Sequence, residues 1–128
     1  MNISETEIFV CGGRDEDDVT NRSFAFNIES QVHDQKANMI TGRWLHAITL
    51  SDQNIYVFGG AGSTGDLDSC ERFSIEKNEW TSLPPLPWVE DHTFAVVYNG
   101  EIWVAGWSGR ISVFSIDNMA HRVHDIFL

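Results

Sequence analysis

Basic residues are scarce in this chain. Among 128 residues there are 8 Lys and Arg against 19 Asp and Glu, a net charge of −11. DNA, RNA and anionic membrane surfaces are bound through a basic footprint, so neither a nucleic-acid nor a membrane partner is expected. The charge favours solubility and a basic partner. Cysteine is scarcer still. Cys11 and Cys70 are too few for a disulfide framework and fall on different kinds of strand, so reduced thiols and a cytoplasmic setting are expected. Met1-Asn2-Ile3-Ser4-Glu5 offers neither the basic nor the apolar region of a signal peptide. Without a secretion signal, the glycosylation acceptors Asn2-Ile3-Ser4 and Asn21-Arg22-Ser23 are expected to stay unmodified. The longest clean apolar run, residues 94–98, is far short of the ~20 residues a membrane helix needs. No stretch holds an apolar stripe at helical spacing for three turns, so no helix is expected. Hydrophobic content of 42% and aromatic content of 12% nevertheless suit a folded all-β chain rather than disorder.

What is present is a phrase that recurs. It reads IFVCGG at residues 8–13, IYVFGG at 55–60 and IWVAGW at 102–107, at offsets of 47 and 47. Self-similarity at a period of 40–50 residues marks a repeat architecture. A second phrase follows each copy: Phe26-Asn27-Ile28-Glu29, Phe73-Ser74-Ile75-Glu76 and Phe114-Ser115-Ile116-Asp117. The last copy follows at 41 rather than 47, so the connection before it is six residues shorter. A third element, Arg43-Trp44-Leu45-His46-Ala47-Ile48, precedes the second glycine phrase, and Val89-Glu90-Asp91-His92-Thr93-Phe94 precedes the third. Their histidines stand 9 and 10 residues ahead of Ile55 and Ile102 and read as equivalent positions. Only seven residues precede Ile8, so no such strand is expected there.

Each full unit reads as four short strands. In the middle unit they fall near 44–51, 54–60, 68–75 and 79–83, and Pro84-Pro85-Leu86-Pro87 breaks the ladder. The chain divides into an N-terminal extension (1–7), a unit lacking its first strand (8–41), a complete unit (42–87) and a third unit (88–128). The paired glycines Gly12-Gly13 and Gly59-Gly60 allow close backbone approach and unusual dihedrals. The third copy has Gly106-Trp107. Its indole either fills space between units or is an exposed recognition residue.

The I-Y-V-x-G-G strand, the aromatic strand after it, the tryptophan (Trp80) and the R-x-x-H strand together resemble the kelch repeat over residues 7–123. The match is best in the middle unit, through Arg43, His46, Gly59, Gly60, Phe73, Trp80, Leu86 and Pro87. The tryptophan is replaced by His33 in the first unit and His121 in the third. The resemblance implies an all-β fold of four-stranded β-propeller blades, with an incomplete propeller in this chain. Three ways of covering the open blades stand: a longer protein, copies of the chain closing a ring, or another subunit. The first is favoured on size.

The resemblance also implies a protein–protein interaction module that binds through loops on one face. Those loops would carry Arg14, Arg43, Trp44, Trp88, Asp91, Trp107 and Ser108. Arginines in such loops grip acidic side chains through paired hydrogen bonds. Arg43 has an equal claim to a structural bond with neighbouring backbone. Arg14 stands beside Asp15, Glu16, Asp17 and Asp18, which can pair with it. At least one of the three tryptophans is expected in inter-blade packing. Gly12, Gly13, Gly59, Gly60, Gly106, His46, His92 and Trp80 read as structural parts of the repeat.

Metal and cofactor sites are not expected. A residue repeated unit after unit is a building part, and His121 and His124 fall on opposite faces of one strand. No catalytic residue is expected either. Glu90 and Asp91 are adjacent on a strand and make a poor acid–base pair. The run Gly59-Gly60-Ala61-Gly62-Ser63-Thr64-Gly65 lacks the lysine and the helix of a phosphate loop. Propellers of this kind often serve as the substrate-receptor part of a ubiquitin ligase, a role that rests here on analogy. The alternatives are a structural piece of a larger cytoskeletal or oligomeric assembly and, further off, a carbohydrate-acting propeller enzyme.

Overall fold

The computed structural model describes residues 1–124. The last four residues of the third unit, 125–128, lie outside the described residues. Eleven strands follow one another: β1 (Glu7–Cys11), β2 (Ser23–Asn27), β3 (His33–Lys36), β4 (Ala47–Ser51), β5 (Asn54–Phe58), β6 (Cys70–Ser74), β7 (Glu79–Leu83), β8 (Phe94–Tyr98), β9 (Glu101–Ala105), β10 (Ile111–Ser115) and β11 (Ala120–His124). They form three antiparallel meanders, β1-β2-β3, β4-β5-β6-β7 and β8-β9-β10-β11. The expected all-β reading holds, with no helix among the described residues.

The sequence repeat is also a repeat of register. Ile8 faces Phe26, Ile55 faces Phe73 and Ile102 faces Phe114 across the second and third strands of each unit. Phe26, Phe73 and Phe114 in turn face His33, Trp80 and His121. The turns repeat as well. Gln31, Asn78 and Met119 each take a left-handed backbone, with φ of 60°, 53° and 52°. Each donates its amide to a carbonyl four residues back, at 2.8 Å. The shortened connection lies between β9 and β10, where residues 106–110 replace the span that runs from 59 to 69 in the middle unit.

Hydrophobic faces stack the sheets. Phe9, Cys11, Met39, Ile55, Val57 and Phe73 form one cluster between the first and middle sheets. A second cluster joins Tyr56, Phe58, Cys70 and Leu86 to Ile102, Val104 and Phe114 of the third sheet. The middle sheet is therefore covered on both faces. Its β5 reads Ile-Tyr-Val-Phe without alternation, and all four residues are buried. Strand β9 has one covered face, and its burial alternates with the pleat.

The first sheet has three strands, but the edge of β1 is not bare. Asn2 forms a bridge with Ile8, and Met1 exchanges two backbone hydrogen bonds with Phe9, at 3.0 and 2.7 Å. Met1 and Ile3 pack on the first cluster.

Candidate protein-binding face

The joint between sheets is built from the glycine pairs. The Arg43 carbonyl accepts the Gly13 amide at 2.9 Å, and the Glu90 carbonyl accepts that of Gly60 at 2.7 Å. Gly12 and Gly59 have φ of 71° and 60°. A Cβ on Gly12 would collide with the Arg43 carbonyl oxygen, and one on Gly59 would stand 2.7 Å from that of Glu90. Each pair thus admits the chain entering the next sheet. Gly106 has no positive φ. The space a Cβ there would take is filled by the Glu90 side chain.

That joint sets the equivalences, and it changes one pairing. Arg43 corresponds to Glu90, Leu45 to His92 and His46 to Thr93, all at the offset of 47. Leu45 and His92 share a left-handed backbone, with φ of 57° and 47°. His46 and His92 are therefore not equivalent, although their distances from the glycine phrases suggested it. His46 lies beside Gly12 and Gly60, with its Nε2 3.6 Å from the Cys11 sulfur. Burial, and then the charge of Arg43, push its imidazole down to about 4. His92 is exposed, with Nδ1 3.5 Å from the Asp91 carboxylate and its ring 5.4 Å from that of Trp107.

Arg43 is not on a partner-facing surface. It is fully buried. Its guanidinium donates to the carbonyls of Gly59 and Ser69, each at 2.8 Å, to Ser69 Oγ at 3.1 Å and to Glu71 Oε2 at 2.8 Å. Glu71, also buried, accepts the amides of Ile40 and Thr41. Backbone is fixed by this ion pair on both sides, so of the two readings the structural one describes Arg43. Trp80 is half-buried and also serves the structure. It packs on Phe9 and Phe73, and its Nε1 donates to the Ala37 carbonyl at 2.8 Å.

The remaining candidates gather on the loops that follow β1, β5 and β9 and on the entries to β4 and β8. The Arg14 guanidinium lies 5.1 Å over the Trp44 ring. Trp44 is pinned by two backbone bonds to Ala61, at 3.0 and 2.8 Å. Arg110 lies 5.1 Å over Trp88. Trp88 Nε1 donates to Glu90 Oε2 at 2.9 Å. The Ser108 amide donates to Glu90 Oε1 at 2.9 Å, and its hydroxyl donates to Oε2. A buried carboxylate thus holds both the indole and the tight turn of the third unit, where the middle unit uses Arg43. Trp107 is 80% exposed and donates its amide to the Asp91 carbonyl at 3.2 Å. Of its two readings, exposure is the one the structure shows. Asp91 also meets Asp66, whose carboxyl is held above the usual range by partial desolvation and by the neighbouring Asp91 charge.

Arg110 and Glu71 had no place among the candidates. Glu90 had a signal: it stands 47 residues after Arg43. Arg110 had none, because the shortened loop removes its counterpart. Arg14 and Arg110 make no hydrogen bond or ion pair through their side chains among the described residues. The acidic run that follows Arg14 turns onto itself instead, with the Asp15 carboxylate accepting the amides of Asp17 and Asp18.

Comparison with known proteins bears on the same units. Residues 45–87 match the Kelch motif. The chain is similar to beta-scruin of Limulus polyphemus, 33% identical over 68% of this chain and 10% of that protein. It is also similar to a Kelch repeat and BTB domain-containing protein 2 of cowpox virus, 28% identical over 66% of this chain and 15% of that protein. Kelch-like protein 33 of Homo sapiens is 26% identical over 84% of this chain and 21% of its own length. The chain spans between a tenth and about a fifth of these curated relatives.

Proposed function

Since the chain carries kelch repeats, stacked as blades of a propeller, we propose that it is a protein–protein interaction module acting through its loop face, without catalysis. The observation that carries this is the pair of guanidinium groups laid over indoles, Arg14 on Trp44 and Arg110 on Trp88, with the exposed Trp107 on the loop of the third blade. Indoles orient the two forks without neutralising them. Tryptophan and arginine are also the residues that dominate binding hot spots. Loop-borne arginine and tryptophan side chains would capture a segment of the partner, with Asp91 and Ser108 shaping the floor. The proposed setting is the cytoplasm. A role as the substrate-receptor part of a ubiquitin ligase extends this by analogy with propellers of the same family.

A second reading, a structural part of a larger assembly, is favoured by a different observation. Phe94, Val96 and Tyr98 are exposed together on one side of β8. Affinity capture from extract separates the readings. Trp107→Ala and Arg110→Ala variants that keep their fold should lose the captured protein if the loop face binds. Retention by both variants would overturn the loop-face reading.

A further inference from the structure

The last strands of the second and third sheets each hold the chain that leaves the sheet before. Trp80 on β7 donates its Nε1 to the carbonyl of Ala37, the residue that follows β3, at 2.8 Å. His121 on β11 donates its Nε2 to the carbonyl of Pro84, the residue that follows β7, also at 2.8 Å. Pro84 stands 47 residues after Ala37. Trp80 faces Phe73 and His121 faces Phe114 across their sheets. The two contacts therefore occupy one position of the repeat, filled by an indole at the first joint and by an imidazole at the second. An indole keeps its proton, whereas an imidazole changes charge near neutrality.

The partners of His121 fix its tautomer. A carbonyl only accepts, so Nε2 bears the proton and Nδ1 is bare. Nδ1 lies 3.3 Å from the Ser112 hydroxyl, which donates to it. Ser112 is buried, and its hydroxyl makes no other hydrogen bond among the described residues. The neutral ring thus has both nitrogens satisfied, one by the chain leaving the second sheet and one within the third. A second proton, on Nδ1, would point at the Ser112 oxygen and cost that hydroxyl its acceptor. The surroundings do not hold the charge. The ring packs against Phe58 and Phe114, at centroid distances of 6.1 and 4.8 Å, with Nε2 4.0 Å from the Cys70 sulfur. Burial keeps the Cys70 thiol neutral. Residues 84–87 carry no titratable side chain, and the Asp68 side chain beside Cys70 belongs to an exposed residue. In the middle sheet Arg43 and Glu71 neutralise each other. Arg122, next to His121 on β11, points to the opposite side of its sheet and pairs with Glu101. Burial accordingly lowers the His121 imidazole, against a smaller pull upward from the Pro84 carbonyl.

We propose that His121 is an acid-released latch between the second and third sheets, closed while its ring is neutral and opened when Nδ1 takes a proton. Once opened, the ring is solvated and binds the proton more readily. Opening therefore gains as pH falls below 6.5, by up to about tenfold per pH unit. The first joint, held by Trp80, stays closed over the same range, because His46 there takes its proton only near 4. The latch holds the segment that leads from Pro84 to Trp88 and Glu90, so its release loosens the entry to the third sheet. It does not rest on the loop-face reading.

Two buried thiols report on the two joints: Cys70 beside His121, and Cys11 beside His46. The whole chain is labelled with a dipyridyl disulfide, which reacts with thiols in acid as well as at neutral pH. The rate at each cysteine is read by peptide mass spectrometry from pH 7 to pH 5 and scaled to the denatured chain at the same pH. The scaled rate at Cys70 is expected to rise about tenfold, while that at Cys11 stays flat. His121→Trp places the indole of the middle unit at the latch, and His121→Gln keeps a donor for Pro84 without a titrating ring. Whichever of the two is folded by near-ultraviolet circular dichroism should lose the rise. Ser112→Ala removes the donor that favours the neutral ring and should move the rise to higher pH. A flat rate at Cys70 in the wild-type chain overturns the proposal. So does an equal rise at Cys11, a rise that persists in a folded His121 variant, or a Ser112→Ala profile that coincides with wild type.

Discussion

The backbone carbonyl of Arg43 accepts the amide of Gly13 at 2.9 Å, across the boundary between two sheets. The chain entering one blade is thereby seated in the glycine pair of the blade before it. The Glu90 carbonyl and Gly60 repeat the contact at 2.7 Å.

This contact predicts which glycines are indispensable. Gly12→Ala forces a Cβ into the Arg43 carbonyl at a φ of 71° and should cost at least about 2 kcal/mol in urea unfolding. Gly100→Ala has a similar φ of 73° but nothing within 4 Å, so only the backbone strain of about 1 kcal/mol applies. Equal costs for the two would show that the joint is not close-packed at Gly12.

Arg43 and Glu71 form a buried ion pair, and removing one partner strands the other. Arg43→Met should cost about 3–5 kcal/mol. The double variant Arg43→Met, Glu71→Leu should cost clearly less than the sum of the two singles, because they share one network. Additive losses in a double-mutant cycle would contradict the pairing. The loss of the Ile40 and Thr41 amide acceptors keeps the double variant below wild type.

His46 makes stability depend on pH. Its folded value is lowered from 6.5 to about 4, chiefly by burial. The unfolded chain therefore binds that proton more readily, and stability falls as pH drops from 6.5 toward 4 and levels off below. At ~1.4 kcal/mol per pH unit, that interval is worth about 3 kcal/mol. Burial also lowers His121, which adds a loss of the same sign. His46→Gln should flatten most of the slope measured by thermal unfolding at pH 7 and pH 4.5. An unchanged slope would mean that His46 is not buried as a neutral ring.

Burial pushes the thiols of Cys11 and Cys70 up to about 12. The thiolate is the reactive form. Both should resist a thiol reagent at neutral pH in the folded chain and react promptly in denaturant. Rapid labelling of the folded chain would place at least one of them at an accessible surface.

Much of the fold was legible in the chain because the glycine phrases recur at an offset of 47 and the aromatic phrases follow them at 47 and then 41. The strand limits of the middle unit differ from the expected ones by at most three residues, the largest difference arising because residues 44–46 serve the joint rather than the sheet. The joint itself was not legible. Counting back from the glycine phrases aligned His46 with His92, whereas the shared left-handed backbone aligns Leu45 with His92. The family resemblance left Arg43 equally open to a place on the loop face and to a structural bond with backbone. Only the packing reveals that Glu71 and two carbonyls receive it inside. The stacking of Arg110 on Trp88 depends on a loop conformation that no local pattern encodes.

The most direct test compares the two faces in one capture experiment. One variant combines Arg14→Ala, Trp107→Ala and Arg110→Ala on the loops. The other carries Phe94→Ala, Val96→Thr and Tyr98→Ser on β8. With both folded by circular dichroism, the loop variant should lose the partner that wild type retains, and the β8 variant should keep it. Retention by the loop variant together with loss by the β8 variant would contradict the account and move recognition to the sheet face.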